Sequence, residues 1–210
     1  MGMVITVSRE CCAGGSFVAQ GAAEALRWHL ADREFIGQLA QRTGIPADEV
    51  SWREERAPSF AERFARSTVM AAPELFPLAG QSIEGFEEER LARTSRCVIQ
   101  ELASQGNVVI VGRAASAVLQ DDPDCMHVRL VAPKPFRVEL AIRELGLSAD
   151  EAAQTVDDAD RNRERYYREY YDADWGDPTN YHLVLNTAAL GIEGATAVVI
   201  AQARARWAGR

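Results

Sequence analysis

Five short stretches carry the residue types from which chemistry could be built. The first is Arg9 to Ser16 (RECCAGGS), which lies between an apolar run and an alanine-rich run. Laid on the pattern G-x-x-x-x-G-K-[ST], Arg9 stands at the first glycine, Gly14 at the second, Gly15 at the lysine and Ser16 at the hydroxyl. Gly14 and Gly15 let a backbone approach an anion closely, and a helix starting there aims free N–H groups into the loop. Ala13 precedes the two glycines within this stretch, and Phe17 follows it. At this point an anion cradle and a plain strand-to-helix turn both stand. Cys11 and Cys12 sit at the same helix start, where a thiol pKa can fall, or they simply fill the loop.

The second stretch is Gly112-Arg113, directly after the apolar run NVVIV; an arginine fork there suits a phosphate. The third is Asp157 to Arg168, with Arg161, Arg163, Arg165 and Arg168 inside about two helical turns. Arg161, Arg165 and Arg168 share a helical face, from which Arg163 points away. Such arginines either lace a solvated helix with its own carboxylates or spread charge from transferring phosphoryl oxygens. The fourth is the turn DWGDP, Asp174 to Pro178, in which Trp175 reads as a packing anchor. The fifth is the set His29, His127 and His182, which lacks metal-ligand spacing and is expected to be structural.

The elements that must position these groups follow from periodicity. Met3 to Ser8, Asn107 to Val111 and Met126 to Val131 are apolar without alternation, as strands buried on both faces of a parallel sheet are. His29-Leu30 and Tyr181 to Leu185 add two shorter strands. Helices are predicted over 17–28, 33–43, 86–104, 135–144, 148–171 and 193–207. Asp32 serves as an N-cap, Gly44 as a C-terminal stop, and Ser148 to Glu151 as a capping box. Residues 58–105 carry mostly helical periodicity, with breaks at Pro73, Pro77, Gly80 and Gly85.

Strand alternating with helix predicts an α/β fold: a doubly wound parallel sheet of about five strands, with a helical insert over about residues 50–85 and a lid-like helical region over about 133–172. The chain reads as one domain. Ligands of such sheets bind beyond the carboxyl ends of the strands, where Arg9 to Ser16, Asp32, Arg113 and Arg137 fall.

The net charge of −8 does not favour a nucleic-acid partner, since a polyanion needs a basic face. No apolar run approaches the length of a membrane span, and the N-terminal apolar run lacks the basic flank of a leader. Four cysteines without C-x-x-C spacing fit neither a disulfide framework nor a zinc site, so a reducing cytoplasm is expected.

The pieces together resemble the cytidylate-kinase-like family. The family opening I-T-I-S-R-E-Y-G-S-G-G-R corresponds to Ile5 through Ser16; its V-I-V-G-R corresponds to Val109 through Arg113. A long stretch, D-W-G-D-P-x-N-Y-x-L-x-x-N-T-x-x-L-G-I-E-G, is present from Asp174 to Gly194. W-H-L-x-D and D-R-N-R of cytidylate kinase match Trp28 to Asp32 and Asp160 to Arg163. The resemblance implies phosphoryl transfer from ATP, with Mg2+, to a nucleoside monophosphate such as CMP or a related small acceptor.

It further implies that Arg9, Ala13, Gly14, Gly15, Ser16 and Phe17 hold phosphates, and that Ser16 binds Mg2+. Asp32, Arg113 and Asp160 then lie on the acceptor side. Arg137, Arg161 and Arg163 stabilise the transferring group. The departures are specific. Gly15 replaces the lysine of cytidylate kinase, Ser16 replaces the arginine of the wider family, and Ala114 replaces an aspartate that reads cytosine. A nucleotide-binding module without catalysis is therefore the alternative, and a protein that binds no nucleotide is a third.

Overall fold

A computed structural model describes residues 2–31, 33–47 and 83–209, with the side chains of residue 33 and residues 83–88 left aside. Asp32 and nearly all of the expected insert lie outside the described residues. The first strand, β1 (Val4–Arg9), leads through a loop into α1 (Gly15–Leu26). Then follow β2 (His29–Ala31), α2 (Arg33–Thr43) and α3 (Ile83–Gln105). The middle of the chain gives β3 (Val108–Val111), the single-turn α4 (Ala115–Val118) and β4 (Cys125–Val131). It closes with α5 (Lys134–Leu145), α6 (Ala149–Tyr171), a 3-10 turn (Pro178–Asn180), β5 (Leu183–Asn186) and α7 (Thr187–Arg206).

The five strands lie in the order β2-β3-β1-β4-β5, and every pairing is parallel. This is the doubly wound sheet that the apolar runs predict. β1 is its centre, and alternate side chains serve two cores. Ile5, Val7, Val109, Val111, Met126 and Val128 pack under α1 and α7, against Val18, Ala22, Ala195 and Val199. Val4, Val108, Ile110 and Cys125 pack under α2 and α3, against Phe35, Leu39, Ile99 and Leu102. Polar residues enter the sheet where they meet. Thr6 Oγ1 lies 2.8 Å from His127 Nδ1, and the backbone N–H of His127 donates to His182 Nδ1 (2.9 Å).

The helix boundaries follow local chemistry. Ser148 Oγ accepts from the Glu151 N–H, and a Glu151 carboxylate oxygen accepts from the Ser148 N–H at 3.0 Å, completing the predicted capping box of α6. Gly44 donates its N–H to Ala40 O at the end of α2. Of the boundaries that depart from expectation, two have a local cause. β5 starts at Leu183 because Tyr181 turns inward, its hydroxyl donating to Trp175 O (3.0 Å). α7 starts six residues earlier than Glu193, because the Asn186 side chain accepts from the N–H groups of Ala188 and Ala189 and opens a first turn. Gly191, at φ +70°, then kinks the helix. α4 carries no sequence signal: its cap is Ala114 in a left-handed conformation.

Candidate functional site

The loop from Glu10 to Gly14 leaves the carboxyl end of β1 and enters α1. Gly14 is the N-cap at φ +78°, and no side chain caps the helix. The first intrahelical bond runs from Val18 N–H to Gly14 O (3.1 Å), so the N–H groups of Gly15, Ser16 and Phe17 stand ahead of it. The first turn also carries no acidic residue. Positive partial charge is therefore concentrated at this helix end.

Both glycines are demanded by their neighbours. A Cβ on Gly14 would lie 2.1 Å from Ile192 Cδ1, and the positive φ would strain it. A Cβ on Gly15 would lie 2.6 Å from Arg9 Cγ and 2.9 Å from Arg9 Cβ. The Arg9 stem thus lies across the position where a lysine would otherwise grow out of the loop.

Charged side chains fasten the loop from several elements. The Cys11 N–H donates to Asp160 Oδ1 on α6 (2.7 Å). Arg137 on α5, 8% exposed, reaches from below: Nη1 donates to Asp160 Oδ2 (2.5 Å) and Cys11 O (3.3 Å), and Nε to Ala132 O (2.9 Å). Glu10 Oε2 accepts from the Ala132 N–H (3.0 Å) and lies 3.4 Å from Arg137 Nε. From α7, Thr187 Oγ1 donates to Ala13 O (3.0 Å). Arg163, also on α6, donates to Asp160 Oδ1 (3.2 Å).

Above the loop opens a cavity of about 310 Å³, with Arg9, Glu10, Ser16, Glu144 and Arg163 as polar lining and Phe17, Leu140 and Leu145 as apolar lining. Phe17 and Ser16 are exposed at its rim, while Ala13 is buried. Cys11 and Cys12 also line it, their Sγ atoms 3.7 Å apart. The hydrogen bond with Cys12, and then the Arg163 guanidinium, pull the Cys11 thiol down to about 6 against the opposing effect of burial. Cys12 is pushed up by the same hydrogen bond and by burial.

The other expected site residues are placed elsewhere. Arg161 is exposed and pairs with Asp158 one turn back on its own helix, away from the cavity. Arg168 pairs with Glu164 (2.5 Å) on the exposed side. The helical face that meets the loop is that of Asp160 and Arg163, not the Arg161, Arg165, Arg168 stripe. Arg113 sits at the carboxyl end of β3, its guanidinium 5.4 Å from the Phe35 ring centroid on α2. It lies in a turn with three consecutive left-handed residues, Gly112 (φ 68°), Arg113 (φ 61°) and Ala114 (φ 50°). Two consecutive non-glycine residues in that region hold strain, which the surrounding fold must impose.

Two participants escaped the sequence reading. Glu10 ties β1 to the β4–α5 turn, and the R-E pair after a strand is the trace it leaves. Arg129 on β4 is buried; its Nη1 donates to Trp175 O (2.7 Å) and its guanidinium stacks 4.1 Å from the Trp175 ring. Trp175 Nε1 in turn donates to Ser8 Oγ (3.0 Å), so the DWGDP turn is packed onto β1 just below the loop. An arginine within an apolar strand is the available signal for Arg129.

The residues fit a phosphate. The uncapped helix end, the absence of an acid in its first turn, and Arg9 and Arg163 on the cavity wall suit an anion; of the two carboxylates on the same wall, Glu10 lies 3.4 Å from Arg137 Nε, and Glu144 adds negative charge. Among the described residues no cluster of three or more metal-ligating side chains forms. A cation there would rest on the Ser16 hydroxyl and on phosphate oxygens, the usual arrangement for Mg2+.

Known proteins resemble this chain in fold and in sequence. Shikimate kinase from Acinetobacter baumannii superposes with a TM-score of 0.53 at 15% identity, covering 99% of this chain and 96% of its own. That likeness shows the fold. The cytidylate kinase of Natronomonas pharaonis is 26% identical over 94% of this chain and 87% of its own length. A uronate isomerase from Corynebacterium glutamicum is 32% identical over 53% of this chain, which spans only 21% of that protein. The model of the cytidylate kinase-like family matches residues 4–189. With the five-stranded parallel sheet and the glycine loop at its carboxyl edge, the chain belongs to the cytidylate kinase-like family.

Proposed function

We propose that this chain is an ATP-dependent phosphotransferase acting on a nucleoside monophosphate, CMP-like, or on a related small acceptor. The observation that carries the reading is the Arg9 stem laid across Gly15 beneath an uncapped α1 N-terminus. It supports a substitution of function: Arg9 supplies from the strand the cation that the loop itself lacks. When bound, ATP with Mg2+ supplies the phosphoryl group and a cation that spreads its charge.

The chain's own residues then divide the work. The N–H groups of Gly15, Ser16 and Phe17 hold phosphate oxygens, and Ser16 offers its hydroxyl to the metal. Arg163, held by Asp160, faces the cavity and offsets charge on the transferring group. Arg137 and Asp160, joined to the loop backbone, keep the cradle in shape rather than meeting substrate. Arg113, on the β3 side, takes the acceptor phosphate. Asp32 is proposed beside it. Arg161 reaches the site only by leaving Asp158.

The alternative, a nucleotide-binding module without transfer, is favoured by Gly15 in place of lysine and Ala114 in place of the cytosine-reading aspartate. Calorimetric titration of ATP-Mg2+ and a panel of nucleoside monophosphates, followed by a coupled ADP-release assay, separates the two. Binding with ADP release supports the kinase; binding without it supports the module.

A further inference from the structure

We propose that Cys11 and Cys12 are a vicinal dithiol that hydroperoxides oxidise to a disulfide, and that this closure reshapes the phosphate loop. The two sulfurs already touch, at 3.7 Å, and both line the 310 Å³ cavity, so a small oxidant reaches them from solvent. The two thiols are set up unequally. The hydrogen bond between Cys11 and Cys12, and then the Arg163 guanidinium, draw the Cys11 thiol down to about 6, which favours a thiolate near neutral pH; burial and, more weakly, Asp160 oppose this. Cys12 is held as the thiol. One partner is thus the nucleophile and the other the resolving group.

The chemistry balances in two steps. The Cys11 thiolate attacks one peroxide oxygen, the O–O bond breaks, and the alkoxide takes a proton and leaves as the alcohol (water, for hydrogen peroxide). Cys11 is then a sulfenic acid. The Cys12 sulfur attacks the Cys11 sulfur, the S–O bond breaks, the Cys12 proton goes to the leaving oxygen, and water departs. Two electrons have passed from the dithiol to the peroxide.

Closure has a structural consequence because the residues are adjacent. Across a trans peptide the Cα atoms are about 3.8 Å apart, short of the roughly 4.4 Å at which ordinary disulfides begin. The peptide between Cys11 and Cys12 must turn to let the sulfurs bond. That peptide carries Cys11 O, an acceptor for Arg137, and it follows the Cys11 N–H held by Asp160. Cys12 already sits at φ 57°. Oxidation therefore pulls on both fastenings of the loop at once. The oxidation itself needs no assumption about the ligand; only its effect on nucleotide binding rests on the kinase reading.

The test uses the full chain carrying Cys97→Ser, which removes the exposed cysteine. Reduced protein is treated with equimolar hydrogen peroxide and followed by intact mass and peptide mapping. The expected result is loss of two hydrogens on the peptide holding Cys11 and Cys12, reversed by dithiothreitol. Adding Cys12→Ser should leave a sulfenic acid at Cys11 that dimedone traps, and adding Cys11→Ser should slow oxidation by about tenfold or more. Equal rates for the two serine variants, or oxidation confined to Cys125, would overturn the proposal. Alkylation rates at each cysteine of the untreated protein, read by mapping with iodoacetamide, give the same ranking without any loop variant: Cys11 first supports it, Cys11 no faster than Cys125 sinks it. ATP binding is then compared in reduced and oxidised protein. Loss on oxidation completes the proposal, unchanged affinity refutes the reshaping step, and no binding in the reduced form refutes the kinase reading while the mass result stands.

Discussion

Arg9 and Gly15 depend on each other. Because a Cβ at residue 15 meets the Arg9 stem at Cβ and Cγ, not at its mobile tip, Gly15→Ala must swing the whole side chain away. ATP affinity should fall about tenfold, or about 1.4 kcal/mol, with little change in melting temperature. A calorimetric titration beside a thermal melt checks both. Arg137 behaves in the opposite way. It is buried and shared by Asp160, Cys11 O and Ala132 O. Arg137→Ala leaves Asp160 short of a charged partner in a largely buried site and should cost about 3 kcal/mol in urea unfolding. Arg163→Ala should instead lose turnover with a smaller loss of stability. A chain whose Arg137 variant unfolds no earlier would contradict the loop-clamp role. The positions of Arg9 and Arg113 were legible because both follow apolar strands directly, and strand ends point at the crevice. The partition of Arg137 and Arg163 between clamp and cavity was not, because it depends on Asp160, a residue far from the loop in sequence.

At the level of elements, the strands were readable because burial on both faces leaves an unmistakable apolar run. The capping box of α6 was readable because S-x-x-E is local chemistry. Ser148→Ala should cost about 1 kcal/mol, measured by chemical denaturation; no loss would mean that tertiary packing alone sets that end. α4 and the first turn of α7 were not readable. One is capped by a left-handed alanine, the other by Asn186 ahead of a kink at Gly191, and periodicity registers neither. The face that α6 turns to the loop was not readable for a related reason. Spacing says which residues share a face but not which face the sheet takes, and the loop backbone selected Asp160 and Arg163. The kink has a use: it delivers Ile192 against Gly14, so the start of α7 closes one side of the loop.

For the whole molecule, the sheet that positions the site also contains its pH sensitivity. His127 is buried on β4, 2% exposed, and burial followed by the nearby His182 pulls its pKa down to about 4. Arg206 lowers it further, while Asp122 and a bond to the backbone oppose. The unfolded chain binds a proton near 6.5 and the folded chain does not, so the unfolded state takes up more protons between those values. Stability is fully present above about pH 6.5 and falls as pH drops toward 4, by up to about 3 kcal/mol for this one group. His127→Gln should flatten that slope in urea titrations run across the window; an unchanged slope would assign it to other groups. Parallel topology and the placing of the glycine loop were both legible in the chain, whereas the acceptor side rests on Asp32 and a segment outside the described residues.

Arg9 is proposed to stand in for the missing lysine. The most direct test is ADP release from ATP-Mg2+ with each nucleoside monophosphate in turn, comparing the native chain with Arg9→Ala. Release is expected with at least one acceptor, and a loss of about a hundredfold or more in kcat/KM for the variant, about 2.7 kcal/mol in transition-state stabilisation. Release that is unaffected by Arg9→Ala, or no release and no ATP binding by the native chain, would contradict it.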